Sequence, residues 1–422
     1  MKTNPHTKGT HLKNCSQRNV SYGVGVNTDP KKIEEVLTRG VKEVINKAHL
    51  EKKLKSGDKL RIKFGIDPTS ADLHLGHSVP LRKLKQFQEL GHQVIFLIGD
   101  FTAKIGDPSA RLDKRRPLTE REIKRNMRDY TKQAAKILNM KKVEIRLNSE
   151  WYGKKGAAFL MDLASRFTYA RLIERDEFKK RIERDIDISM LELIYPLLQG
   201  YDSVELKADV EIGGADQKFN LLFARKVQKK YNQPQQDIIT VPLLVGTDGV
   251  RKMSKSYRNF IKLTEEPLKM FGQIMSIPDL LIWHYFKLIT NLSLEEIEEI
   301  KKNVNLTILT PKEAKIKLAR EIVGIYHGKE VAKKAEKEFE KIFKERKLPS
   351  RIPEIKIKEK TLNILDLLVK TKLAPSKSEA KRLIFQKGVK INGQIQKDWQ
   401  TIIEIKEGMV IQVGKRKFAR II

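Results

Sequence analysis

The chain has 422 residues, enough for two to four domains, and 40% of them are hydrophobic, so cores of ordinary size can form. Its 85 Lys and Arg against 53 Asp and Glu give a formal charge of +32; this favours polyanionic partners, nucleic acid first, although a lysine-rich surface of a heat-adapted protein would account for the same excess. The single cysteine, Cys15, excludes an internal disulfide and a thiolate metal cluster and fits the cytoplasm, and no apolar run is long enough to predict a membrane-spanning helix. Residues 1–30 are polar and have no apolar signal core; they read as a disordered leader, and a start codon placed too early reads equally well.

Ile33, Val36, Leu37, Val41, Val44, Ile45 and Ala48 have helical spacing and predict a helix over 32–55. A strand is predicted over 59–66, ending at Asp67-Pro68, then a helix over 73–91 and a buried parallel strand over 94–99. Strand, helix and strand in this order form the βαβ unit of a doubly wound sheet. Thr119 and Glu122 mark a helix start. Further expectations are a strand over 142–147, helices over 159–184 and 189–201, strands over 206–212 and 238–244, and a helix over 219–231 between them. The pattern predicts an α/β fold: a Rossmann-type doubly wound parallel sheet over 31–262, with an insertion in its middle. Residues 263–347 read as a helical domain, in which Ser293 and Glu296 fit a capping box. Residues 348–360, with two prolines, read as a linker, and 361–422 as a small α+β domain. That domain should hold helices over 362–369 and 376–385, a strand from 388 into an Asn392-Gly393 turn, and strands over 402–405 and 410–413.

Two stretches carry the chemistry. His74 and His77 are spaced i,i+3 at a helix start, with Gly76 between them and Thr69 just before. A helix N-terminus offers N–H groups and a positive field, and neutral imidazoles donate hydrogen bonds, so the group suits a phosphate whose charge grows in a transition state. A metal pair, or two incidental histidines, are the alternatives. Lys252-Met253-Ser254-Lys255-Ser256 follows an apolar strand and a Gly-rich turn, and its flexible ammonium groups can fold over a departing pyrophosphate. A solvated basic turn is the plainer reading of that loop taken alone. Asp107 follows the second strand, where open α/β sheets bind ligands. Tyr195, Gln199 and Asp202 share one side of a helix and suit an amino acid's ammonium and a hydroxyl. Gly214, Asp216 and Gln217 form a glycine turn apt for ribose hydroxyls; a helix cap is the alternative for Asp107 and Asp216.

From about residue 32 to its end the sequence resembles the class I aminoacyl-tRNA synthetases, and among them the bacterial tyrosyl-tRNA synthetases. His74-Leu75-Gly76-His77 and Lys252–Ser256 match the two class signatures. Gly65-Ile66-Asp67-Pro68-Thr69, Gly106–Ser109, the Tyr195/Gln199/Asp202 set and Gly213–Gln217 narrow the likeness to tyrosine, and residues 373–393 resemble an S4 RNA-binding domain. The resemblance implies a Rossmann catalytic domain, a helical anticodon-side domain and an S4-like tail, assembled as a homodimer through the insertion. It implies that L-tyrosine and ATP, which carries Mg2+ with it, give tyrosyl-adenylate, and that the tyrosyl group then moves to tRNA(Tyr). It implies no structural zinc. On the same ground Asp107, Tyr195 and Gln199 hold the substrate ammonium, and Asp202 bonds the phenol. Gly214 and Asp216 meet the ribose, and Gly65, Asp67, Gly76, Gln217, Met253 and Ser254 complete the ATP site. Thr69, His74, His77, Lys252 and Lys255 serve the triphosphate, and Arg111 and Arg115 aid the departure of pyrophosphate. Lys377, Lys381, Arg382, Lys387 and Lys390, with the basic residues near the end, are the expected RNA contacts.

The chain departs from the common pattern at Lys63, where many relatives have a tyrosine that helps read the substrate hydroxyl, and at Phe64, Ala110 and Ala215. Lys63 leaves Asp202 as the main reader of that hydroxyl. A tryptophan-specific enzyme of the same class would make poor use of Asp202. An adenylyltransferase that never meets tRNA would not need the tail, and a silent RNA-binding protein would not need both phosphate motifs.

Overall fold

The apolar runs in the first part of the chain form one six-stranded sheet in a computed structural model that describes residues 25–109, 118–343, 352–357, 359–414 and 417–422. Helix α1 (Pro30–Thr38), strand β1 (Glu43–Ile45) and helix α2 (Lys47–Lys55) lead into β2 (Arg61–Ile66), α3 (Leu75–Glu89) and β3 (Gln93–Ile98). After α4 (Glu120–Met127) and α5 (Tyr130–Ala134) comes β4 (Val143–Leu147). The insertion is α6 (Ser149–Tyr152), α7 (Ala157–Ser165), α8 (Tyr169–Leu172) and α9 (Asp176–Ile182), and it leads to α10 (Met190–Glu205). Then β5 (Val210–Gly214), α11 (Lys218–Lys230) and β6 (Asp237–Val241) complete the sheet, whose strand order is β1-β6-β5-β2-β3-β4. All its pairings are parallel except that of β1 with β6. The chain winds outward from β2 through β3 to β4, then returns to the other side of β2 with β5 and β6. The switch point therefore falls between β2 and β5, where such sheets open a crevice at their carboxyl ends.

Both faces of the sheet are covered, which is why β3 is apolar after Gln93: Val94, Ile95, Phe96, Leu97 and Ile98 are all buried. Ile62, Phe64, Val94 and Phe96 pack towards Val36, Leu50, Leu84 and Phe87 of α1, α2 and α3. Ile95 and Leu97 face the opposite core, with Trp151, Leu163, Phe178, Leu197 and Phe223. Each such side chain, fully buried, contributes about 1.5–3 kcal/mol. The helical segment, α12 (Pro267–Met275), α13 (Ile282–Ile289), α14 (Leu294–Asn305), α15 (Pro311–His327) and α16 (Lys329–Phe343), has no separate core, since Phe271, Tyr285, Leu318 and Ile322 belong to the first one. The last unit has its own core around Ile364, Leu368, Ile384, Val389 and Ile411. It comprises β7 (Glu354–Ile355), β8 (Thr361–Asn363), α17 (Ile364–Lys370), α18 (Lys377–Phe385), β9 (Val389–Ile391), β10 (Gln394–Ile395), β11 (Ile402–Glu404), β12 (Val410–Val413) and β13 (Lys417–Ile421).

Several expected elements differ. The helix predicted over 32–55 is two helices, because Gly40 has φ +64 and the following residues form edge strand β1. The charged helix predicted over 159–184 is the three short helices α7, α8 and α9. Residues 206–209 are not strand: Leu206 caps α10 and Lys207 has φ +46. The predicted linker contains β7, which pairs parallel with β13, and Thr361–Asn363 is a strand where a helix start was expected. Strand β13 was missed because its Lys417 and Arg420 read as a basic cluster, whereas Phe418 and Ala419 between them are buried. The Asn392-Gly393 turn is as expected, with φ +47 and +82 joining β9 to β10. The predicted leader before residue 25, Arg111, Arg115, Ala110, Lys415 and Arg416 lie outside the described residues.

Candidate active site

A cleft of about 410 Å³ opens at the switch point, lined by the ends of β2, β3, β5 and β6 and by the starts of the segments that follow them. Strand β2 ends at Ile66, and Asp67, which follows it into the lining of the cleft, accepts from Thr102 Oγ1 (2.8 Å) and Tyr195 Oη (3.0 Å). A methyl group at Gly99 would overlap the Asp67 carboxylate, so that glycine makes room for it. The loop from Pro68 to Leu73 is held from outside by α4 and α5. Asn126 Nδ2 donates to Pro68 O (3.0 Å), Tyr130 Oη to Ser70 O (2.7 Å), and Gln133 Nε2 to Ala71 O (2.8 Å).

His74 is the N-cap of α3 and His77 its third residue, and the two rings lie 3.8 Å apart. The Gly76 N–H donates to His74 Nδ1 (3.2 Å) and the His74 N–H to His77 Nδ1 (3.1 Å). Each Nδ1 is thus an acceptor, which leaves each Nε2 carrying the hydrogen. Burial, followed by the charge of Lys255, holds His77 down to about 3; burial, the neighbouring His77 and both loop lysines hold His74 well below the usual histidine range. Both rings are neutral donors and both line the cleft. The sequence leads one to expect free N–H groups at the start of α3. The first N–H groups of the helix are not open to a ligand, since Leu75 N–H donates to Ile261 O (2.9 Å), Gly76 N–H to His74 Nδ1, and His77 N–H to His74 O (2.8 Å). The imidazoles and the helix field remain. Gly76 is needed for the same packing: a Cβ there would lie 3.0 Å from the His74 ring and 3.6 Å from Met253 Cβ.

The lysine loop lies across the cleft. Lys252 Nζ pairs with Asp216 Oδ2 (2.7 Å), and Lys255 Nζ donates to Ser70 Oγ and Asp72 O. Burial lowers Lys255 to about 8, with Asp72 opposing that shift. The Met253 N–H is tied to Leu244 O (2.7 Å). Sequence reading missed Asn259, which organises the loop: buried, it accepts from the Ser254 N–H (2.8 Å) and donates to Asp248 Oδ2 (3.0 Å) and Lys252 O (3.1 Å). A side chain at Gly246 would collide with it. Thr69, Gly214 and Ser254 all line the cleft.

At the other end, α10 turns Tyr195, Gln199 and Asp202 to the cleft as their spacing predicts. Asp107 accepts from the Ser109 N–H (2.8 Å) and from Gln217 Nε2 (2.7 Å), so Gln217 bridges the ribose turn to the carboxylate end. Behind them Arg175, buried to 1% exposure, donates to Asn220 Oδ1 (3.0 Å) and Ser109 Oγ. Asp202 accepts from Trp151 Nε1 (3.0 Å) and Asn148 Nδ2 (3.4 Å). Its burial raises it to about 7, against the pull of Lys63 and these donors. Trp151, Asn148, Arg175 and Asn259 carry no motif of their own, and only their buried contacts identify them.

The five basic residues expected to meet RNA lie apart from the cleft, in the last unit. Lys377 pairs with Asp366 (2.7 Å), Arg382 with Glu379 (2.5 Å), and Lys381 lies 3.7 Å from the Trp399 ring centroid. Lys387 follows α18 in a left-handed conformation, φ +55, and Lys390 lies on β9.

Residues 54–344 match the family described as class I tRNA synthetases (W and Y), and residues 343–421 match the C-terminal domain of tyrosine–tRNA ligases. The tyrosine–tRNA ligase of Moorella thermoacetica is 49% identical over 390 residues, which is 92% of this chain and 94% of that protein. That of Aquifex aeolicus is 48% identical over 393 residues, covering 93% of this chain and 99% of the relative. A C-terminally truncated mitochondrial tyrosyl-tRNA synthetase from Aspergillus nidulans shares the fold, with a TM-score of 0.64 at 24% identity over 74% of this chain and 94% of that one. The Archaeoglobus fulgidus tyrosyl-tRNA synthetase, solved with L-tyrosine, gives a TM-score of 0.59 at 25% identity over 72% of this chain and 99% of that one.

Proposed function

Because the chain belongs to the class I tRNA synthetases that serve tryptophan and tyrosine, on the tyrosine side, we propose that its cleft is where tyrosine is joined to ATP before transfer to tRNA. The activity is that of a tyrosine–tRNA ligase. The observation that supports the site assignment best is the pairing across one cleft of two neutral imidazole donors with the Lys252/Lys255 loop. Tyrosine lies with its ammonium towards Asp107, Tyr195 and Gln199 and its hydroxyl towards Asp202. Its carboxylate, already ionised, attacks the α-phosphate of magnesium-bound ATP; a new O–P bond forms as the bond to pyrophosphate breaks. No proton need move in that step. His74 and His77 donate through Nε2 to the phosphate oxygens as charge builds on them, and Lys252 and Lys255 follow the departing pyrophosphate. Asp216 and Gly214 receive the ribose, and Arg111 and Arg115 aid the leaving group. A hydroxyl of the terminal tRNA adenosine then attacks the tyrosyl carbonyl and AMP leaves.

Within the first unit we assign 31–262 to catalysis and 263–347 to the anticodon side, and we assign the last unit, which with β7 begins before residue 361, to tRNA(Tyr) through Lys377, Lys381, Arg382, Lys387 and Lys390. We also place the protein in the cytoplasm and as a homodimer. Exposed apolar side chains on the insertion and the start of α10, Met161 at 73% and Met190 at 70% among them, support the dimer. The test is exchange of labelled pyrophosphate into ATP with each amino acid in turn, without tRNA. Tyrosine should drive it far better than any other amino acid, with phenylalanine a weak second, and exchange driven mainly by tryptophan would overturn the substrate assignment.

A further inference from the structure

One residue of β2 breaks the apolar pattern completely. Lys63 is 0% exposed, and its Cα partner on the parallel neighbour β5 is Glu211, 1% exposed. The two side chains meet at 2.9 Å, and both line the cleft. Lys63 Nζ also donates to Ser203 Oγ (2.8 Å) and to Gln199 O (3.0 Å). With Glu211, these contacts take all three of its hydrogens, so Lys63 has none to spare for a substrate hydroxyl. Glu211 is itself held by Ser203 Oγ (3.2 Å), Gln199 Nε2 (3.4 Å) and Gln236 Nε2. Every one of the α10 contacts falls on the turn that carries Asp202.

Stability gives little reason for such a pair. Burying two ions costs several kcal/mol each before their attraction returns it, and well-packed hydrophobic residues of the same volume are often as stable or more so. We propose that the Lys63–Glu211 pair is a positioning unit that fixes the Gln199–Ser203 turn of α10 and keeps Asp202 ionised to accept the tyrosine hydroxyl. This rests on the tyrosine reading of the cleft. The groups that face Asp202 are Lys63 from β2, Trp151 and Tyr152 from α6, Asn148 from the turn before it, and Tyr195 from α10 itself. Glu211 on β5 stands against Lys63. Lys63 is the one cation in that set, and Trp151 and Asn148 donate to Asp202. Ionised Asp202 accepts the phenol hydrogen, whereas phenylalanine has nothing to offer it. Gln199 on the same turn serves the ammonium of either amino acid, but only tyrosine uses Asp202, so the pair acts more strongly on tyrosine than on phenylalanine.

The test is amino-acid-dependent pyrophosphate exchange by the wild-type chain, Lys63→Met and the charge-neutral Lys63→Met/Glu211→Gln, with tyrosine and with phenylalanine, from about pH 6 to 9. Both variants should raise KM for tyrosine about tenfold or more and lower kcat/KM for tyrosine by at least about tenfold more than that for phenylalanine. In Lys63→Met the pH below which tyrosine binding fails should also rise, by about one unit or more. Equal effects on the two amino acids, or none, would reduce the pair to scaffolding and overturn the proposal. If Lys63→Met does not fold, the double variant decides alone, and collapse of both makes the pair a folding element only and overturns the proposal too. A wild-type chain that exchanges nothing with tyrosine would instead remove the tyrosine reading itself.

Discussion

At the scale of single residues, the site depends on protonation states that the fold enforces. His77 sits on a hydrogen-bonded cap and is neutral at working pH, so its removal subtracts a donor and no general acid. His77→Ala should lower kcat for pyrophosphate exchange by about 10²–10³, with KM for tyrosine little changed. A large rise in that KM would show the ring shaping the amino-acid end instead. The same residue has a cost in acid. Its folded pKa lies below its unfolded one, so the unfolded chain takes up the proton first, and His77's contribution to stability falls as pH drops from about 6.5 towards about 3. Residues such as His74, His77, Lys252 and Lys255 were legible because a motif fixes their spacing. Trp151 and Arg175 were not, since each acts through partners far away in sequence, and one-dimensional spacing carries no trace of a contact such as Trp151 with Asp202. Asn259 meets near neighbours, Asp248, Lys252 and Ser254, but no motif marks an asparagine inside a loop as its organiser.

At the scale of elements, the sequence was clear where periodicity is strong. The long helices α3, α10 and α11 and the apolar strand β3 stand within a few residues of their predicted bounds. It was unclear where elements are short. Strands β1, β7 and β8 have three residues or fewer and owe their existence to their pairing partners. The broken run of α7, α8 and α9 is the clearest case, because its charges suggested one solvated helix while its apolar residues divide between the core and the surface. Leu163, Leu172 and Phe178 are buried; Met161, Tyr169 and Ile182 are exposed. An exposed face of that kind is what a second copy would cover. Replacing Met161 and Met190 together by Asp should therefore yield a monomer in sedimentation, and a variant that still sediments as a dimer would move the interface elsewhere.

At the scale of the whole molecule, the last unit has a core of its own, separate from that of the sheet and the helices after it. Because β7 belongs to the last unit through its pairing with β13, a clean truncation removes residues from 344 onward, not from 361. That variant should keep tyrosine-dependent pyrophosphate exchange near the wild-type rate and lose most tRNA charging; loss of both together would refute the division. Strands buried on both faces are nearly uniform in polarity, so hydrophobicity alone says little about which strand lies beside which, or at what offset. In β2, Ile62 and Phe64 face one core while Lys63 points into the other towards Glu211 of β5, a strand that is synthesised well over a hundred residues later. A slip of one residue would turn the ammonium into oil and set an aliphatic chain against a carboxylate, an error costing several kcal/mol. The buried charge thus acts as an address label during folding: it tells β2 which neighbour to take and at which residue to meet it.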